Sequence, residues 1–170
     1  SDWVAVNFVS KNIDNLSRFV INTGGSDCLR EILKLLQNRC IAEFFLVKLF
    51  ETDDMEIENV LNALQDTQCT RVHTHTNLTL LSLQSFWLSE EVMTKIHPFF
   101  ENGHARHLQK LSLKRNKISP SEILKFCKVL DSEHFEELTC LDFSHNPICD
   151  EGASALFNTL IKGPRKLTKL

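Results

Sequence analysis

The chain of 170 residues is long enough for one domain with a sizeable core. With 42% hydrophobic and 24% charged residues, and only 5 Gly and 4 Pro, it is neither disordered nor collagen-like. A formal net charge of −3 lacks the basic excess of a dedicated nucleic-acid binder, and no run of about 18 apolar residues is present to span a bilayer.

Ser1-Asp2-Trp3 does not open a secretory signal, and the missing Met points to a processed or excised fragment. Phe19-Val20-Ile21 is strand-like, Gly24-Gly25 suits a strand-to-helix turn, and Ser26-Asp27 can cap a helix carrying Leu29, Ile32, Leu33, Leu35 and Leu36. A second strand-like run, Phe44-Phe45-Leu46-Val47, precedes Asp53-Asp54, which can cap a helix through Ile57, Val60, Leu61 and Leu64. Next comes a Thr-rich stretch with Cys69, His73 and His75.

From residue 78 the chain repeats itself. Leu78-x-x-Leu81-x-Leu83, Leu108-x-x-Leu111-x-Leu113 and Leu138-x-x-Leu141-x-Phe143 superpose at a 30-residue offset, and Leu167-x-x-Leu170 follows 29 residues later. Leu88, Ile118 and Ile148 continue the match, with Phe86, Asn116 and Asn146 just before them. In an extended segment alternate side chains share a face, so Leu111 and Leu113 point to a core and Ser112 to solvent. After each strand a helix is expected. Ser119-Pro120-Ser121-Glu122 offers an N-cap, a proline at the first helical position and an acidic third residue, before Ile123, Leu124, Phe126, Cys127 and Leu130 at helical spacing. Ser89-Glu90-Glu91 and Cys149-Asp150-Glu151 open the neighbouring helices.

This pattern, LxxLxLxxNxL, resembles the leucine-rich repeat family from about residue 78 to the end. Asn146, Ile148, Asp150, Gly152, Leu156 and Leu160 stand where ribonuclease-inhibitor-like repeats have N, L, D, G, L and L. The resemblance implies an α/β right-handed solenoid, a horseshoe arc with parallel strands on its concave face and helices on its convex face. It also implies that Asn116 and Asn146 bond backbone groups from repeat to repeat as a structural ladder. Phe86 cannot do that job, so its repeat is irregular. Residues 78–170 are read as regular repeats open at the carboxyl end, because the last one stops before its third core leucine. Residues 1–77 are either degenerate repeats, Leu16-x-x-Phe19-x-Ile21 and Ile41-x-x-Phe44-x-Leu46 at offsets of 25 and 37, or a small α/β cap.

No Gly-rich phosphate loop, GxSxG or HExxH is present, so no catalytic role and no cofactor are expected. Cys69-x-x-x-His73-x-His75, with His97, His104 and His107 further on, lacks the matching second pair of a zinc site, and no metal is expected. The 6 cysteines form no CxxC pairs, which favours reduced thiols and a cytoplasmic or nuclear setting. The triplets Asn15-Leu16-Ser17 and Asn77-Leu78-Thr79 are formal glycosylation acceptors and leave that question open.

Residues 1–100 carry a net charge of −5 and residues 101–170 one of +2. If the repeats stack, the rows on the concave face read Lys110, Ser112, Lys114, Arg115 and then Cys140, Asp142, Ser144, His145. A protein partner gripped by Lys110, Ser112, Lys114, Arg115, Asp142, Ser144 and His145 is the leading expectation, with self-association through the open carboxyl-terminal repeat as a second contact. The family resemblance implies a non-enzymatic interaction module, such as a ligand-sensing or autoinhibitory region of a NOD-like receptor in innate immunity. Ribonuclease inhibitor and the tropomodulins share the scaffold. Two other classes stay open: a regulator resembling Ran GTPase-activating proteins, for which Arg115 is the one well-placed arginine, and a segment that covers a neighbouring domain.

Overall fold

The computed structural model describes residues 18–23, 43–48, 57, 59–62, 78–88, 90–101, 106–130, 133–162 and 166–170. Five strands, β1 (Arg18–Thr23), β2 (Glu43–Lys48), β3 (Leu80–Gln84), β4 (Lys110–Ser112) and β5 (Cys140–Asp142), form one open sheet in chain order. Every neighbouring pair is parallel. Parallel neighbours require a crossover between strands. After β3, β4 and β5 those segments contain the helices α1 (Glu90–Phe99), α2 (Pro120–Leu130) and α3 (Cys149–Lys162).

The register reproduces the sequence offset. Leu81 pairs with Leu111 and Leu111 with Leu141, each 30 residues on. At the other edge Phe19 pairs with Phe44 and Phe44 with Leu81, so the strands of the amino-terminal region continue the same ladder at offsets of 25 and 37. Cys140 also bridges in parallel to Lys169, where the Leu141 N–H donates to the Lys169 carbonyl at 3.0 Å. A sixth rung thus begins at the end of the chain.

Alternation decides which face is dry. Leu81, Leu83, Leu111, Leu113, Leu141 and Phe143 are buried, and they share one core with Ile96, Phe99, Phe126, Leu130 and Leu156 from the three helices. Ile57, Val60 and Leu61, the helical leucine-type positions ahead of β3, belong to it too. Phe100, Phe126, Phe135 and Phe143 stack edge-on or tilted with ring centroids 5.4–6.2 Å apart. Such an interior supplies no partner for a phenolic hydroxyl, a physical reason for Phe rather than Tyr at these four positions.

α2 starts where its cap residues place it. The Ser119 N–H donates to Glu122 Oε2 at 2.6 Å, and the Glu122 N–H lies 3.4 Å from Ser119 Oγ. This reciprocal capping box satisfies two amide donors that a helix start would otherwise leave open. α3 packs along α2 through Gly152, where an added Cβ would lie 3.4 Å from Pro120 Cα.

Candidate functional site

Beyond each strand the chain must turn away from the sheet, and two devices hold that turn. Asn116 Oδ1 accepts from the Phe86 N–H at 2.7 Å while its Nδ2 donates to the Leu83 carbonyl at 2.8 Å. Asn146 Oδ1 accepts from the Asn116 and Ile118 N–H groups at 2.8 and 3.1 Å, and its Nδ2 donates to the Leu113 and Phe143 carbonyls. Each asparagine therefore serves the backbone of the repeat before its own. Phe86 occupies the same place as a buried apolar plug, and its N–H is served from Asn116.

The second device is backbone conformation. Ser85, Arg115 and His145, equivalent in the three repeats, all lie in the left-handed region with φ of 64°, 58° and 60°. A recurrence at one repeat position marks a turn of the scaffold that three different side chains accept. The Ser85 N–H donates to the Lys114 carbonyl at 3.2 Å and the Arg115 N–H to the Ser144 carbonyl at 3.0 Å, extending the ladder past the strands proper. Residues 84–85, 114–115 and 144–145 thus stand on adjacent rungs.

Alternation puts Lys110, Ser112 and Asp142 on the side of the sheet opposite the buried leucines, and Lys114, Arg115, Ser144 and His145 follow in the turns beyond β4 and β5. Lys110, Arg115, Ser144 and His145 are exposed, and Ser112, Lys114 and Asp142 are half-buried. Asp142 is not a free carboxylate: Oδ1 accepts from the Ser144 N–H at 2.8 Å and Oδ2 lies 3.4 Å from Ser112 Oγ. Burial pushes its pKa up, but hydrogen bonds from Ser144, the charge of Lys114 and the Ser112 hydroxyl together outweigh that and hold it below the ordinary aspartate value. Asp142 shapes the turn as well as lining the surface.

Lys110, Lys114, Arg115 and Lys117 form no ion pair with any of the described residues, unlike the lysines and arginine that join other positions. Arg106–Glu136 and Lys166–Glu137 connect equivalent positions of consecutive repeats at 3.5 and 2.7 Å, and Lys125 pairs with Glu90 across α2 and α1. Two residues of this neighbourhood escape a reading based on alternation along strands. Trp87 is 61% exposed, and Lys117 Nζ sits 4.0 Å from its ring centroid. Both follow the asparagine position by one residue, where strand alternation no longer applies. The visible signal was the equivalence of Trp87, Lys117 and Pro147 at the 30-residue offset.

Of the residues weighed as metal ligands, Cys69, His73, His75 and His104 lie outside the described residues, as do Asn15 and Asn77. His97 packs on α1 against Phe126, with ring centroids 6.1 Å apart, and its Nε2 is buried without a hydrogen-bond partner. Among the described residues no group of three or more Cys, His, Asp or Glu could hold a metal ion, and no helix is long and apolar enough to cross a membrane. Cys127 is buried and its thiol is pushed up in pKa chiefly by that burial, while Cys140 and Cys149 are half-buried and exposed free thiols.

A family model described as "Leucine Rich repeat" matches residues 104–127 and 138–157. These two matches cover β4 with the start of α2 and β5 with the start of α3. A search of curated proteins finds no match to the chain.

Proposed function

We propose that this chain, which carries leucine-rich repeats, is a non-enzymatic protein-interaction module of the ribonuclease-inhibitor-like kind, with the solvent side of its sheet as the concave face of a right-handed arc. The observation that carries the reading is the group of basic side chains without ion pairs on one rung, Lys110, Lys114 and Arg115 with Ser112, beside Asp142, Ser144 and His145 on the next. Repeat stacking makes such rungs one continuous surface, and repeat proteins use it to grip partners. Strands β1 and β2 extend the sheet in register, which supports degenerate repeats over a separate cap for residues 1–77. A ligand-sensing or autoinhibitory region of a cytoplasmic receptor of the NOD-like type is the setting this reading favours.

The same reading includes a second contact at the β5 edge. Phe157 and Ile161 on α3 are 61% and 69% exposed and Leu170 is 65% exposed, whereas Cys127, at the position of α2 equivalent to Phe157, is buried at 7%. Exposed apolar side chains of this kind favour association of the isolated chain.

The test is capture of partners by the full chain and by a K110E/K114E/R115E variant with an unchanged melting curve. Loss of a specific protein partner in the variant supports the reading. Equal capture moves the site off this face, and stimulation of a GTPase that disappears with Arg115→Ala would replace plain binding by catalytic regulation.

A further inference from the structure

We infer that the strand-end edge formed by Trp87, Lys114, Arg115 and Lys117 is a docking site for an acidic peptide segment that carries an apolar side chain. This rests on the interaction-module reading and names the chemistry of its partner. Three independent features converge there.

First, three cations are grouped at this edge without forming an ion pair among the described residues. Elsewhere on the described surface Lys95, Arg106, Lys125 and Lys166 each meet a glutamate, in three cases across neighbouring repeats, while Lys128, Lys162 and Lys169 stand singly without an ion pair, so what distinguishes this edge is the grouping of its cations. No ion pair joins Lys117 or Arg115 to an acidic group among the described residues, and Asp142, which feels the charge of Lys114, is already engaged by Ser112 and Ser144. Carboxylates arriving from a partner would meet an open guanidinium, able to bind in bidentate fashion, and two ammonium groups.

Second, Trp87 presents a largely exposed ring beside Lys117. Lys117 lies over the ring at 4.0 Å from its centroid, which fixes the indole and leaves it 61% accessible. Tryptophan and arginine are both enriched among the residues that anchor protein interfaces. An apolar partner side chain against the indole would bury surface that the fold itself leaves wet.

Third, the backbone holds the arrangement. The Leu88 N–H donates to the Asn116 carbonyl at 3.1 Å, which puts residues 86–88 directly beside residues 116–118. Lys117 takes a left-handed φ of 54°, which neither Trp87 nor Pro147 at the equivalent positions adopts. The departure from the repeat's own pattern occurs at the residue that contacts Trp87.

An acidic peptide fits better than a polynucleotide. The basic patch is short, and residues 1–100 of the same chain carry a net charge of −5 that a long phosphate backbone would have to pass.

The probe is a short fluorescein-labelled peptide of alternating Glu and Asp around one Phe, titrated with the full chain and read by anisotropy. Controls are its Gln/Asn counterpart, an acidic peptide with Ala in place of Phe, and oligothymidylate. The acidic Phe peptide should bind, and affinity should fall about tenfold or more in K114E/R115E/K117E, equivalent to about 1.4 kcal/mol or more. Higher salt should weaken it, because exposed charges are screened. Trp87→Ala should weaken the Phe peptide more than the Ala peptide. Melting curves of both variants confirm folding. Equal binding by the charge-reversal variant, equal binding of the neutral peptide, or equally strong binding of oligothymidylate would overturn the inference. If the peptide fails but partner capture still depends on Lys110, Lys114 and Arg115, only the acidic-peptide inference falls; capture indifferent to those residues removes the broader reading.

Discussion

At the residue scale, the asparagine ladder and one histidine give the sharpest expectations. Asn116 is fully buried and its amide answers a backbone donor and a backbone acceptor of the preceding repeat. Removing it leaves both unpaired in the interior, so Asn116→Ala should cost about 1–3 kcal/mol, and Asn146→Ala a similar amount, read by denaturant unfolding. Unchanged stability in both variants would refute the ladder. Phe86 is no weak point despite lacking an amide: it is 3% exposed within the core, so Phe86→Ala should cost about 3–5 kcal/mol. His97 supplies a pH dependence. Burial disfavours its charged form, and Lys125 adds to that while Glu101 and Glu122 oppose it, leaving its pKa below the ordinary value of 6.5. The unfolded chain therefore binds the proton more readily than the folded one. The stability tied to this group is complete above about pH 6.5 and is lost as pH falls from there through the folded-state value. Relative to wild type, His97→Phe should show a smaller drop in melting temperature between neutral and mildly acid solution, and identical slopes would show that His97 does not contribute.

At the scale of the element, α2 tests how far a local signal fixes a helix. Glu122 is a nearly buried carboxylate, 4% exposed, whose Oε2 is held by the Ser119 amide. Ser119→Ala should cost about 1 kcal/mol, since the hydroxyl partner of the first turn is lost. α3 gives the opposite kind of test. The space at Gly152 admits a methyl group, its nearest neighbours lying 3.4–3.5 Å from an added Cβ. Gly152→Ala should be neutral or raise stability by up to about 1 kcal/mol through lower backbone entropy in the unfolded chain. A leucine there would press α3 away from Pro120 and Ile123 and lower the melting temperature. Equal stability of the alanine and leucine variants would show that α3 is not seated closely on α2.

At the scale of the molecule, stacking is cooperative and ends matter. Each repeat is supported by contact with its neighbours, so a rung at an end of the stack is supported from one side. The bridge from Cys140 to Lys169 starts to cover β5, but Phe157 and Ile161 remain open. The isolated chain should self-associate with rising concentration in light scattering, and a Phe157→Ser/Ile161→Ser double variant should stay monomeric to higher concentration. A wild-type chain that is strictly monomeric throughout would remove that contact from the proposal.

The period of 30 residues was legible in the sequence, and with it the strand centres, the helix start at Pro120, the core leucines and the place of Asn116 and Asn146. These are consequences of local chemistry: alternation along a strand, amide geometry at a turn and a capping box need only neighbouring residues to be recognised. The irregular spacings of 25 and 37 residues left the pairing of Phe19 and Phe44 open, and the parallel sheet resolved it, because backbone hydrogen bonds between strands are insensitive to the length of the crossover that joins them. Tertiary structure alone decided that Lys117 rests on Trp87 and that Asp142 meets Ser112. It also decided that Arg106 and Lys166 find partners where Lys110 and Arg115 do not. Each of those facts depends on which side chains stacking brings within a few ångströms across separate repeats, a distance that no single segment of sequence contains.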